Sequence, residues 1–292
     1  MYESARRITP REMQATLREH NVRPSKAWGQ NFLLDLEVVQ ESLSAGRVGR
    51  GDTILEIGPG PGVLTLDLVR AALRVVAVEA DKDMMRLLAP LRREHPNLEL
   101  VQGNVIAMSP RDLVGDGPYK VIANIPYNIT STALRHFLED EHPPTLMVLL
   151  LQREVAERVC AEPGDMSLLS LSVQLYADPE ILRYVPASSF YPAPKVSSAL
   201  VRFMVRDRPL LPRRQILSFF RLAQAGFNDR RKQLHNAMRI NLRLPPDAVS
   251  VLLDSAGIDG RRRAETLSIE EWGRLTTAAE GIDGVVAPAA RP

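Results

Sequence analysis

The sequence predicts an α/β fold, a largely parallel sheet of seven strands with the last antiparallel, followed by a small all-helical C-terminal domain. Three observations carry this. Between residues 53 and 205 short β-branched or apolar runs alternate with helical periodicities, as in successive strand–helix units. The last two runs are separated only by 186–198, too little chain for a helical crossover, so they should pair antiparallel. Past Pro209-Leu210-Leu211-Pro212, a linker signal, residues 215 to about 279 show only helical spacings such as Ile216, Phe219, Phe220 and Ala223.

In chain order, residues 1–30 read as a basic N-terminal arm carrying Arg6, Arg7, Arg11, Arg18, Arg23 and Lys26. Residues 31–208 form the sheet-bearing domain. Its expected strands are 53–57, 75–79, 98–101, 121–124, 147–151, 180–185 and 199–205, with helices at 63–70, 82–92, 132–138, 154–160 and 167–176. Residues 209–280 form the helical domain. The tail, 281–292, is rich in Gly, Ala, Pro and Val and is expected to be disordered.

Composition excludes several classes. A chain of 292 residues that is 45% hydrophobic buries a substantial core. No apolar stretch reaches the roughly 18 to 20 residues of a membrane span, and the N-terminus lacks the apolar core of a secretion signal. A cytoplasmic location with no membrane partner is expected. The single cysteine, Cys160, can form neither an internal disulfide nor a cysteine metal cluster, and no metal is expected. Lys plus Arg number 37 against 35 Asp plus Glu, so bulk charge announces no nucleic acid. The distribution says more: from Arg213 to Arg243 eight basic residues, among them Arg230, Arg231 and Lys232, face Asp229 alone. Such runs are either solvated faces or phosphate contacts.

Two motifs carry chemistry. Glu56-Ile57-Gly58-Pro59-Gly60-Pro61-Gly62 joins a strand to a helix, where missing side chains let backbone amides approach a ligand. Glu79 ends the next strand, where an acid can accept from both ribose hydroxyls. Asn104, at the end of the third strand, could read the amino group of an adenine. This spacing is typical of S-adenosylmethionine enzymes. After the fourth strand comes Asn124-Ile125-Pro126-Tyr127. The Asn124 side-chain oxygen and a backbone carbonyl, assigned to Pro126, are two acceptors that could hold both hydrogens of a planar amine and aim its lone pair at an incoming methyl. The Tyr127 ring could stack on the base. A plain Pro-containing turn is the competing reading.

These residues resemble the ribosomal RNA adenine N6,N6-dimethyltransferases, with the erythromycin-resistance methyltransferases as cousins. The likeness runs from Lys26 to about Trp272. Ala27-Trp28-Gly29-Gln30-Asn31-Phe32-Leu33 looks like a family element that brings Asn31 and Leu33 to the cofactor. Phe190-Tyr191-Pro192-Ala193-Pro194-Lys195-Val196 matches the loop before the final strand, whose Phe190 would sandwich the target adenine opposite Tyr127. Phe227 to Leu234, with Arg230-Arg231-Lys232, and Ser268 to Trp272 look like the small-subunit type. Two positions depart: Asn104 stands where the family usually has Asp, and Trp28 where many relatives have Phe.

The resemblance implies a Rossmann-like class I methyltransferase sheet. It further implies a monomer that dimethylates N6 of two adjacent adenosines near the 3′ end of 16S rRNA within the immature small ribosomal subunit, using S-adenosyl-L-methionine. Two alternatives stay open: a 23S rRNA adenine-N6 methyltransferase of the antibiotic-resistance type, and an assembly factor whose main role is non-catalytic.

Overall fold

The computed structural model describes residues 8–25 and 28–282; Arg6, Arg7 and Lys26 of the basic arm and residues 283–292 of the expected tail lie outside them. The chain divides into two compact units, Met1–Glu157 with Asp178–Val205, and Arg158–Ala177 with Arg206–Pro292.

The first unit opens on α1 (Pro10–Glu19). Thr9 Oγ1 accepts from the Glu12 N–H while the Glu12 carboxylate accepts from the Thr9 N–H, and Pro10 occupies the first turn, where its missing N–H costs nothing. Met13 and Leu17, one turn apart, bury one face. Then come β1 (Phe32–Leu33) and α2 (Leu36–Ala45), the latter capped by Asp35. Alternation follows: β2 (Thr53–Ile57), α3 (Val63–Ala71), β3 (Arg74–Glu79), α4 (Lys82–Glu94), β4 (Leu98–Gln102), α5 (Pro110–Val114), β5 (Tyr119–Asn124), α6 (Thr130–Leu138), β6 (Leu146–Gln152) and α7 (Arg153–Val159). The strands β7 (Ala177–Val185), β8 (Phe190–Tyr191) and β9 (Ser198–Val205) complete it.

Seven of these strands form one sheet in the order β4-β3-β2-β5-β6-β9-β7. The pairs β3–β4, β2–β3, β2–β5 and β5–β6 are parallel, and β9 runs antiparallel to β6 from Leu146↔Met204 to Gln152↔Ser198. Six of the seven residues of β6 and five of the six of β3 are buried, the near-continuous burial of strands covered on both faces. Strand order reverses between β2 and β5. The carboxyl ends of these two strands therefore flank a crevice, the place where open α/β sheets bind ligands.

Two features went unread in the sequence. The segment between β7 and β9 is not a plain loop: its β8 pairs with β1, Leu33↔Phe190 and Phe32↔Tyr191, in a separate two-stranded sheet. Helices α1, α2 and α5 also add to the expected set. Among the described residues no helix is long and apolar enough to cross a membrane.

The second unit is helical: α8 (Leu168–Gln174), α9 (Arg213–Phe227), α10 (Leu234–Leu242), α11 (Pro246–Ser255) and α12 (Ile269–Ala278). Residues 158–177 group with it because Gly164 and Met166 N–H both donate to the Glu265 carbonyl. Its centre is Trp272, fully buried and stacked on Phe227 with ring centroids 5.8 Å apart. Ser268 caps α12 through a capping box with Glu271, and Arg262 forks onto the same carboxylate.

Candidate active site

At the end of β2 the chain turns sharply. Gly58 N–H donates to the Val78 carbonyl at 2.9 Å, and Gly60 sits at φ +54°. A Cβ on Gly60 would lie 3.1 Å from the Phe32 ring, and one on Gly58 3.3 Å from Pro126 Cδ. Only glycine leaves this loop open to a ligand. Glu79, at the end of β3, is 8% exposed; its Oε2 accepts from Gly60 N–H at 3.2 Å and its Oε1 from Asp81 N–H at 2.9 Å. Burial raises its pKa, against which these backbone N–H groups act. Behind the loop lies Glu56, 1% exposed, with Oε2 lacking a hydrogen-bond partner among the described residues. Burial pushes its carboxyl up to about 8; the Thr65 hydroxyl holds back part of that rise and the charge of Glu79 adds to it.

Across the crevice, Asn124 ends β5. Its Nδ2 donates to the Asn31 carbonyl at 3.0 Å, which fixes how the amide faces and leaves Oδ1 as its remaining acceptor. The Pro126 carbonyl, expected as the second acceptor, already accepts one hydrogen bond. Pro126 O accepts from Ile129 N–H at 3.1 Å, closing a turn, whereas the Ile125 carbonyl accepts nothing among the described hydrogen bonds. Pro126 has no N–H with which to continue the strand ladder, so the chain leaves the sheet here. Tyr127 is anchored at its tip, Oη lying 2.6 Å from Oγ of the buried Ser198, and burial raises its pKa.

Asn31, Gly58, Gly60, Glu79, Asn104, Asn124, Pro126 and Tyr127 line a single cavity of about 390 Å³. Leu33 and Phe190 are not on its wall. They face each other in the β1–β8 pair, and Phe190, 2% exposed, belongs to the hydrophobic core. Asn104 does reach the wall, but its Oδ1 is engaged: it accepts from Ile106 N–H at 3.1 Å, capping a short 3₁₀ turn. A backbone N–H can be satisfied only by the oxygen, so Nδ2 is the group turned elsewhere. Gln30, unnoticed in the sequence as a structural tie, joins the β1 approach to the β3–α4 turn through Asp81 Oδ2 at 2.7 Å. In the second unit Arg230, Arg231 and Lys232 are exposed in the turn after α9; Lys232 lies 3.0 Å from Asp229, and neither arginine has an acidic partner among the described residues.

The donor set fits S-adenosylmethionine: an open glycine loop, a carboxylate at the end of β3 and a polar wall at the end of β4 surround one cavity. A parallel sheet with an antiparallel last strand, carrying this cavity at its switch point beside Asn124, defines a Rossmann-like class I methyltransferase. The model of the ribosomal RNA adenine dimethylase family matches residues 21–280. A ribosomal RNA small subunit methyltransferase A of Dehalococcoides mccartyi is 42% identical over 257 residues, covering 88% of each chain. Its counterpart from Clostridioides difficile is 38% identical, over 89% of this chain and 92% of that one. Among solved structures, the 23S rRNA methyltransferase ErmE superposes with a TM-score of 0.71 at 26% identity, covering 86% of this chain and all of that one. A dimethyladenosine transferase from Plasmodium falciparum shares the fold with a TM-score of 0.75 at 24% identity, over 85% and 97% of the two chains. The chain belongs to the ribosomal RNA adenine dimethylase family. It is an S-adenosylmethionine-dependent enzyme that methylates adenine in ribosomal RNA.

Proposed function

We propose that the enzyme dimethylates N6 of two adjacent adenosines near the 3′ end of 16S rRNA within the immature small ribosomal subunit, in the cytoplasm, as a monomer acting in ribosome biogenesis. One observation carries the chemistry: the Asn124 amide, turned by its bond to Asn31 O, sits next to a carbonyl at Ile125 that no donor claims among the described residues. Two acceptors side by side match the two hydrogens of an exocyclic amine. The names of the 42% and 38% identical relatives support the small subunit as substrate, against the 26% identity to the 23S enzyme.

In this reading Gly58 and Gly60 give the cofactor backbone approach, Glu79 accepts from its ribose hydroxyls, and Asn31 with Phe32 closes the cavity over it. Bound S-adenosylmethionine supplies an activated methyl on a sulfonium. Asn124 Oδ1 and the Ile125 carbonyl hold the N6 hydrogens as the nitrogen gains positive charge, so their contribution grows toward the transition state. Tyr127, braced by Ser198, stacks on the base. Phe190 would cover the second face only after its ring leaves the β1–β8 pair. Asn124→Ala should bind S-adenosylhomocysteine and the immature small subunit normally yet lose about 100-fold in single-turnover methyl transfer. Near-wild-type turnover in the folded variant would remove the amine-positioning role.

A further inference from the structure

The chain contains two tryptophans of opposite situation: Trp272 is fully buried, while Trp28 is 48% exposed. Trp28 is also part of the cavity wall. Its position along that wall follows from the next residue. Gly29 sits at φ +62°, and a Cβ there would lie 3.3 Å from Asn128 Oδ1 and 3.8 Å from Pro126 Cβ. The Trp28 loop thus abuts the turn after Asn124, the end of the cavity that receives the amine. The Asn104–Val105 wall, at the end of β4, is a different part of the lining. A half-exposed indole contributes little to the core. At the mouth of a site that must hold unstacked RNA, it offers a π-face on which any base can stack.

We propose that Trp28 is a stacking platform for the nucleobase next to the adenosine being methylated, so that the enzyme grips an unstacked dinucleotide rather than one extruded base. This rests on the RNA reading above. The platform holds the neighbour in place and offsets the stacking lost when the target adenosine enters the cavity. It also suits a substrate in which that neighbour is itself an adenosine awaiting methylation.

Because Trp272 is shielded, changes in indole emission on adding RNA report chiefly on Trp28. Wild-type protein is titrated with a short single-stranded oligoadenylate and with an oligomer of the same ribose-phosphate backbone without bases. Binding is followed in parallel by anisotropy of end-labelled oligoadenylate. The oligoadenylate should quench emission with the same midpoint as the anisotropy change, while the abasic oligomer and S-adenosylhomocysteine should not quench. Trp28→Ala should weaken oligoadenylate binding about 5- to 150-fold, the range for losing one stacked base, and Trp28→Phe far less. Calorimetry should show unchanged S-adenosylhomocysteine affinity in both variants. Undiminished oligoadenylate affinity in a folded Trp28→Ala protein would overturn the platform while leaving the RNA reading intact. Weakened S-adenosylhomocysteine affinity with unchanged RNA affinity would assign the indole to the cofactor instead. If the wild type showed no anisotropy change at all, the RNA reading would fall and the platform with it.

Discussion

Asn104 illustrates how one atom decides a contact. Asn104 Oδ1 already accepts from Ile106 N–H, so an adenine amino group placed beside it would meet an oxygen that carries one hydrogen bond. Asn104→Asp keeps the cap with one oxygen and offers the second to the amino group, so S-adenosylhomocysteine should bind about 5-fold more tightly, the scale of one added hydrogen bond. Calorimetry checks this, and weaker binding would show that Nδ2 itself holds the base. Glu56 makes a pH prediction. Its folded-state carboxyl holds its proton up to about 8, whereas an ordinary glutamate releases it near 4.5. The raised pKa stabilises the fold relative to the unfolded chain below the lower value, and that stability is lost as pH rises through the window between them. Glu56→Gln stays neutral throughout. It should match the wild type at the acidic end and exceed it by roughly 2 to 4 kcal/mol above pH 8, measured by urea denaturation without cofactor. Parallel pH profiles would show that Glu56 is ionised in the fold.

At the scale of elements, the two units are held differently. In the first, α2 packs against β6 and β9, and α4 against β3 and the more exposed edge strand β4. In the second, α9 approaches α12 closely because position 226 is glycine. A Cβ there would lie 2.7 Å from Trp272 Cη2, 3.2 Å from Leu234 Cδ1 and 3.3 Å from Ala264 Cβ. Gly→Ala in a helix ordinarily gains about 1 kcal/mol, whereas overpacking a rigid core costs about 1 to 3. Because the fully buried indole cannot yield, overpacking should win, and Gly226→Ala should lower urea stability. A stabilised variant would contradict that packing. The strands of the main sheet were legible because long apolar runs bounded by turns leave few other readings. The β1–β8 pair was not: two residues a strand are too few for an alternation. Helix α1 is readable in Thr9-Pro10-Arg11-Glu12, a capping box with proline at the first turn, although the basic charges around it also fit an unstructured arm.

For the whole molecule, the site motifs were visible as local strings, while the bonds that set them are long-range. Asn124 meets Asn31 across 93 residues, Tyr127 meets Ser198 across 71, and Gln30 meets Asp81 across 51. The Ile125 carbonyl, which accepts nothing among the described hydrogen bonds, emerges only once the turn closes on Pro126 O. Electrostatics extend beyond the cavity: Arg230 and Arg231 face solvent without acidic partners among the described residues, while Lys232 shares its charge with Asp229. If all three contact phosphate, a triple Ala variant should reduce the salt slope of small-subunit binding by about 2 to 3 units, at roughly 0.7 to 0.9 per contact, and leave cofactor affinity unchanged. An unaltered slope would return the cluster to a solvated face. The substrate itself is decided by mapping the product. Purified enzyme and S-adenosylmethionine are incubated separately with unmethylated small subunits, with large subunits and with duplex DNA, and the nucleosides are located by mass spectrometry. The account predicts N6,N6-dimethyladenosine at two adjacent positions near the 3′ end of the small-subunit RNA and none elsewhere; methylation confined to the large-subunit RNA, or absent from all three, would contradict it.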